Sequence, residues 1–117
     1  MTFEETVKDI LNTCPGATAV SIVDPDGIPV VVEPFQPEVE VLGAEMASMV
    51  REMNNAGREL DHGTLRQFSA AADLAQIVLT TMAAGYFLMV LMKPDAVAGR
   101  VRLASRLAGE RLYSEFI

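Results

Sequence analysis

The chain has one cysteine, one histidine and no tryptophan among its 117 residues. A lone Cys14 cannot form an internal disulfide, which fits a reducing compartment. His62 stands beside Asp61 in a polar turn, with no second histidine and no cysteine cluster to complete a zinc site. It reads as a solvated loop residue. No segment approaches ~18 continuous apolar residues, so no transmembrane helix and no direct membrane insertion are expected. Positive charge is scarce too: nine Lys+Arg against sixteen Asp+Glu leave a net −7 and a pI near 4.5. A surface of that sign repels phosphate backbones, which argues against nucleic acid unless charge is strongly segregated. A partner carrying a basic patch fits better. The N-terminus opens Thr2-Phe3-Glu4-Glu5, acidic where a secretory signal needs positive charge, so a cytoplasmic location is expected.

The motifs of catalysis are missing as well. Cys14 precedes Pro15 and has no histidine near it in sequence, so a half-buried or buried small hydrophobe is the expectation rather than a nucleophile. Asp24 and Asp26 resemble the start of a calcium loop, but the later glutamate is absent, and turn chemistry accounts for both. Gly57, Gly63 and Gly85 stand alone, with no phosphate-loop or dinucleotide pattern. Neither enzymatic activity nor a cofactor or metal is expected.

What is present is a hydrophobic half of the composition, enough for one folded domain over residues 1–117. Thr2-x-x-Glu5 has the form of a capping box ahead of Phe3, Val7, Ile10 and Leu11 at helical spacing, which predicts a helix over 3–13 ended by Pro15-Gly16. Apolar runs Ala19–Val23 and Ile28–Val32 flank Asp24-Pro25-Asp26-Gly27, which predicts a hairpin of strands over 17–24 and 28–33 with turn residues at its centre. Pro29 and Pro34 place the second strand at a sheet edge, and its Val30-Val31-Val32 run predicts a cover over that edge.

Val39, Leu42, Met46, Met49 and Met53 form one stripe of a second helix, with Pro37 at its start and Gly57 as a C-cap. Gly43, Ala47 and Val50 widen the apolar arc to roughly 160°. Such an arc suits either a helix sunk in a monomer core or one that packs on its own sheet and on a symmetry mate. Residues 64–71 pattern weakly as a strand, with Leu65 and Phe68 on opposite faces and Arg66 and Gln67 likewise. That suits an edge able to pair with another chain. A firmer strand over 75–81 and the fully apolar run 86–92 follow, the latter read as a central strand covered on both sides. Asp95 is placed to cap the last helix, striped by Val97, Val101, Ala104, Ala108 and Leu112 with Leu103 and Leu107 as a shoulder. Its Arg100, Arg102, Arg106 and Arg111 spread round the helix and read as a solvated surface. The methionines, Met89 and Met92 included, read as core or dimer filling.

The order α-β-β-α-β-β-β-α gives an α+β protein with a five-stranded, mainly antiparallel sheet and helices on its faces. Gly16-Ala17-Thr18-Ala19-Val20, the Asp24–Gly27 turn, the Val39–Met53 helix and Gly85-Tyr86-Phe87-Leu88-Met89-Val90-Leu91 together resemble the Roadblock family, that of the dynein light chain and of bacterial Mgl-type regulators of Ras-like GTPases. The resemblance implies a profilin-like fold that homodimerises through its third strand, with the second helices paired across the two-fold. The implied dimer interface comprises Leu65, Arg66, Gln67 and Phe68 with Gly43, Met46, Ala47, Met49, Val50 and Met53. Glu45, Ser48, Glu52 and Asn55 form the candidate partner surface. Three functions remain open: a non-catalytic regulator of a small Ras-like GTPase, a structural dimeric adaptor of the dynein-light-chain kind, and a small-molecule sensor. The few polar groups at 86–92 count against the sensor.

Overall fold

The structure, a computed structural model, describes residues 1–116. Its elements run α1 (Phe3–Thr13), β1 (Ala17–Val23), β2 (Pro29–Glu33), α2 (Pro37–Glu59), β3 (Gln67–Ala71), β4 (Gln76–Thr81), β5 (Phe87–Met92) and α3 (Ala98–Leu112), with short 3-10 turns at Ala83–Gly85 and Tyr113–Phe116. The sheet order is β2-β1-β5-β4-β3, and every neighbouring pair is antiparallel. The expected element order and sheet are both present. β5, the most apolar strand, lies at the centre, where both of its faces can be covered.

Alternation along the strands sends side chains to two cores. On one face Val20, Ile22, Val78, Leu88, Val90 and Met92 pack with Val7 and Ile10 of α1 and Val101, Ala108 and Leu112 of α3. On the other, Ala19, Val23, Leu79, Phe87 and Met89 pack with Val39, Met46 and Ala47 of α2. α1 lies over β1 and β2, α3 over β4 and β5, and α2 over β1 and β2. Phe3, Tyr86 and Phe116 stack at 4.9–6.3 Å between ring centres and join α1 to the turns that precede β5 and follow α3.

The expected capping box is complete. Glu5 N–H donates to Thr2 Oγ1 at 3.1 Å, and Thr2 N–H to Glu5 Oε1 at 3.2 Å. Hydrogen bonding to the Glu5 carboxyl from Thr2, from its side chain first and then from its backbone N–H, holds that carboxyl below its ordinary pKa by favouring the charged form. Other boundaries differ from the expectations. α2 runs past Gly57 to Glu59 and is capped by Leu60. Gly57 does a different job: a Cβ there would lie 2.4 Å from the Gly63 carbonyl oxygen, so the missing side chain lets the next loop fold back over the helix. α3 is preceded by Val97 with no side-chain cap, so Asp95 does not cap it. Leu103 and Leu107 are exposed rather than a buried shoulder, and Ser105 takes the inward position between Val101 and Ala108. The cover expected over β2 is partial: Val31 packs into the α1 core, while Val30 stays about half exposed.

Candidate functional site

The β3 edge is built by the way its ladder alternates. Thr81 N–H donates to Arg66 C=O, and Ala72 N–H to Ala75 C=O, both at 2.8 Å. With the register Gln67↔Thr80 through Ala71↔Gln76, alternation turns the backbone groups of Arg66, Phe68, Ala70 and Ala72 toward β4. Those of Gln67, Ser69 and Ala71 point away from the sheet. The strand is shorter than the expected 64–71, because Leu65 and Arg66 are held before it begins. Asn54 Oδ1 of α2 accepts from Leu65 N–H at 2.8 Å, and Thr81 Oγ1 donates to Leu65 C=O at 2.7 Å. Asn54, near the end of α2, is thus the anchor of the loop that delivers β3.

Beside that edge, the α2 face is unfinished. A groove of about 180 Å³ opens between Leu42 and Met46 of α2 and Ala70, Ala75, Ile77 and Leu91 of the sheet. Phe68 packs toward the same core and is only partly buried. The methionine stripe is divided along its length. Met46 is 9% exposed, whereas Met49 and Met53 stand 43% and 38% exposed further along the helix, and Val41 is 63% exposed. Val50 is partly buried against the core.

Gly43 and Ala47, named in the implied dimer interface, lie on the inward side of α2. Both are buried inside the protomer. Gly27 turns with φ +85°, and a Cβ on it would sit 3.1 Å from Ala44 Cα and 3.2 Å from Ala47 Cβ. A Cβ on Gly43 would meet Val23 at 3.4 Å. The small residues of α2 therefore make room for the β1–β2 turn, and they are withdrawn from the outward surface. Glu45, Ser48, Glu52 and Asn55 are all exposed along one line of α2. Arg51 donates to Ser48 Oγ at 3.1 Å and Arg58 to Asn55 Oδ1, so the polar line is partly ordered from within the helix.

The structure does not assemble the isolated chemical residues into a centre. Among the described residues no group of three His, Cys, Asp or Glu side chains is disposed to hold a metal ion. His62 is exposed, and its backbone N–H donates to Gly57 C=O at 2.7 Å. Cys14 is buried beside a cleft of about 320 Å³ lined by Gly16, Lys93 and Val97 among others, and burial pushes its thiol pKa up. A raised pKa leaves it a poor nucleophile. No helix among the described residues is long and apolar enough to cross a membrane.

The Roadblock/LC7 domain model matches residues 2–92. A Roadblock/LC7 domain from Streptomyces avermitilis superposes with a TM-score of 0.89 at 18% identity, covering 98% of each chain. Myxococcus xanthus MglB gives 0.85 at 16% identity, over 99% of this chain and 98% of the other. Acanthamoeba castellanii profilin II gives 0.70 at 12%, over 99% and 100%, so the fold is profilin-like as expected. No curated relative matches the chain significantly.

Proposed function

The chain belongs to the Roadblock/LC7 domain family, and from that membership we propose a non-catalytic homodimer that serves as a binding platform for a small Ras-like GTPase. The observation that carries the proposal is the half-covered α2 face that ends in an unpaired strand edge. Unpaired ladder groups beside exposed apolar side chains are a liability in a monomer and a ready seam for a second copy. In the dimer, β3 pairs antiparallel with its mate about a two-fold at Ser69, which sets Gln67 opposite the second copy's Ala71 and uses all three outward residues. Phe68, Met49 and Met53 then meet their counterparts across the axis. Leu65 and Arg66 flank this seam. Gly43 and Ala47 support it from inside, by seating α2 on the β1–β2 turn.

The polar line Glu45, Ser48, Glu52 and Asn55 faces outward on the same side, and its carboxylates suit a GTPase surface with a basic patch. Ser69→Pro provides a selective test of the dimer. Its N–H faces solvent in the monomer, so proline is tolerated there, yet the paired ladder requires that donor. Light scattering is expected to report a dimer for the wild type and a monomer for Ser69→Pro, with unchanged circular dichroism. A wild-type monomer overturns the reading. For the GTPase, the Ras-like GTPases of the same organism are presented in GDP and GTP-analogue forms. Nucleotide-dependent binding that Glu45→Lys with Glu52→Lys abolishes is expected. Binding indifferent to nucleotide would favour the adaptor reading, which the second exposed edge at Ile28, Val30 and Phe35 also suits.

A further inference from the structure

The four arginines of α3 do not form an even solvated surface. Arg111 turns toward α1 and meets Asp9 at 4.0 Å, the only ion pair among the described residues. Arg102 and Arg106, one turn apart, lie on the β3 side of the helix. Arg102 Nη1 reaches Ser69 Oγ at 3.4 Å, while its carbonyl accepts from Gln67 Nε2 at 2.9 Å. Arg66 arrives at the same place from the start of β3. Between α3 and the β3–β4 hairpin lies a groove of about 720 Å³, lined by Arg66, Arg106, Gln67, Thr80, Met82 and Tyr113. Glu110 is the one carboxylate on its walls.

Charge is distributed unevenly along the chain in the same sense. Residues 1–61 hold twelve of the sixteen acidic side chains and three of the nine basic ones. Residues 62–117 hold four acidic and six basic. A protein of net −7 thus keeps a groove with more arginine than carboxylate on the sheet face opposite α2. Leu103 and Leu107, 49% and 37% exposed, run along α3 beside the arginine row.

We propose that this groove docks an acidic segment of a partner protein. Its carboxylates engage Arg66, Arg102 and Arg106, whose planar forks match carboxylate geometry in pairs. Its apolar side chains lie on Met82 and Tyr113 and reach the Leu103–Leu107 ridge. Concavity favours a peptide over a flat bilayer, and three arginines within an acidic protein are too few to hold a polyanionic nucleic acid. The groove is formed by one chain, and because Arg66 and Gln67 also border the proposed β3 seam, docking and pairing are measured separately. It would give the protein a second contact on the face away from the GTPase.

The test uses the whole protein and a fluorescein-labelled peptide of alternating glutamate and leucine, read by fluorescence anisotropy and by amide shifts in NMR spectra. Binding that shifts Arg66, Gln67, Thr80–Ala83 and Arg106–Tyr113, and weakens as salt rises, is expected. Arg102→Glu with Arg106→Glu should weaken it at least ~tenfold, while Arg100→Glu should change it little. Circular dichroism and light scattering on the same variants separate lost docking from lost folding or lost pairing. Absence of binding, shifts confined to α2, or tighter capture of phosphatidylserine vesicles or single-stranded DNA than of the peptide would each overturn the proposal.

Discussion

The two faces of this sheet receive the same strands and are finished differently. On one, α1 covers β1 and β2, α3 covers β4 and β5, and the buried side chains form a continuous layer from Val7 to Leu112. On the other, α2 alone covers the β1–β2 side, and the groove over Ala70, Ile77 and Leu91 stays open. A helix is about 10 Å wide and strands lie about 4.8 Å apart, so one helix roofs roughly two strands. Three helices cannot seal ten strand faces. The remainder falls at β3, which no helix covers fully on either face. The two faces therefore leave different surfaces open beside β3: an apolar groove on the α2 side and an arginine-lined one on the α3 side.

The comparison breaks most sharply on truncation. Leu88 is fully buried in the sealed layer, so Leu88→Ala should cost about 2–5 kcal/mol in urea unfolding. Ile77→Ala on the open face should cost less than half of that at a protein concentration low enough to keep chains apart. The Ile77 cost should then grow with concentration if pairing covers the groove, because a partner that binds only folded protein adds stability by mass action. Equal, concentration-independent costs at both positions would mean that the two faces do not differ in this way.

That asymmetry was only half legible in the sequence. Period-2 and period-3.6 patterns placed all eight elements, and Tyr86–Met92 announced its central position because no side of it is polar. The Val39–Met53 stripe was read as one continuous apolar arc, since spacing shows which residues share a helix face and not how far that face stays on its sheet. Met46 and Met53 look alike in the pattern and differ in exposure because the sheet beneath them ends. Gly43 and Ala47 were similarly ambiguous. Small residues four apart signal close approach, and only the tertiary path shows that the approaching group is the protein's own turn. Arg102 and Arg106 carry no signal of convergence until β3 brings Arg66 beside them.

The turn seated on α2 provides the next contrast. Gly27→Ala forces a side chain into a left-handed backbone and against Ala44 and Ala47, and should cost about 2 kcal/mol. Gly43→Ala, one helix turn away, has room against Val23 and gains helix propensity, so its effect should stay within about 1 kcal/mol of zero. A large loss at Gly43 in thermal unfolding would show that the seat of α2 is tighter than the 3.4 Å approach indicates.

The buried layer under α3 holds an imperfect site of its own. Ser105 Oγ is fully buried between α3 and the sheet without a hydrogen-bond partner. An unsatisfied hydroxyl there costs desolvation with no return, so Ser105→Ala should leave stability unchanged or raise it by about 1 kcal/mol. A loss of similar size would instead reveal that the hydroxyl has a partner, and that the face is closed by polar contacts as well as by packing.

The smallest effect concerns the end of α1, where the sealed layer begins. Glu5 titrates below its ordinary value near 4.5, first because Thr2 donates to it and also because of the bonds of the capping box. A carboxyl depressed in the folded state stabilises fully above its unfolded pKa, and that contribution disappears as pH falls through the folded value. Glu5→Gln can still accept from the Thr2 N–H but does not titrate. The difference in thermal midpoint between wild type and Glu5→Gln should accordingly be constant near neutrality and shrink as the solution is acidified past the ordinary carboxylate range. Because Glu5 is open to solvent, added salt should reduce the difference as well. A gap that is independent of both pH and salt would assign the effect of the substitution to helix propensity, and would leave the charge of the capping box without a part in holding α1 to the sheet.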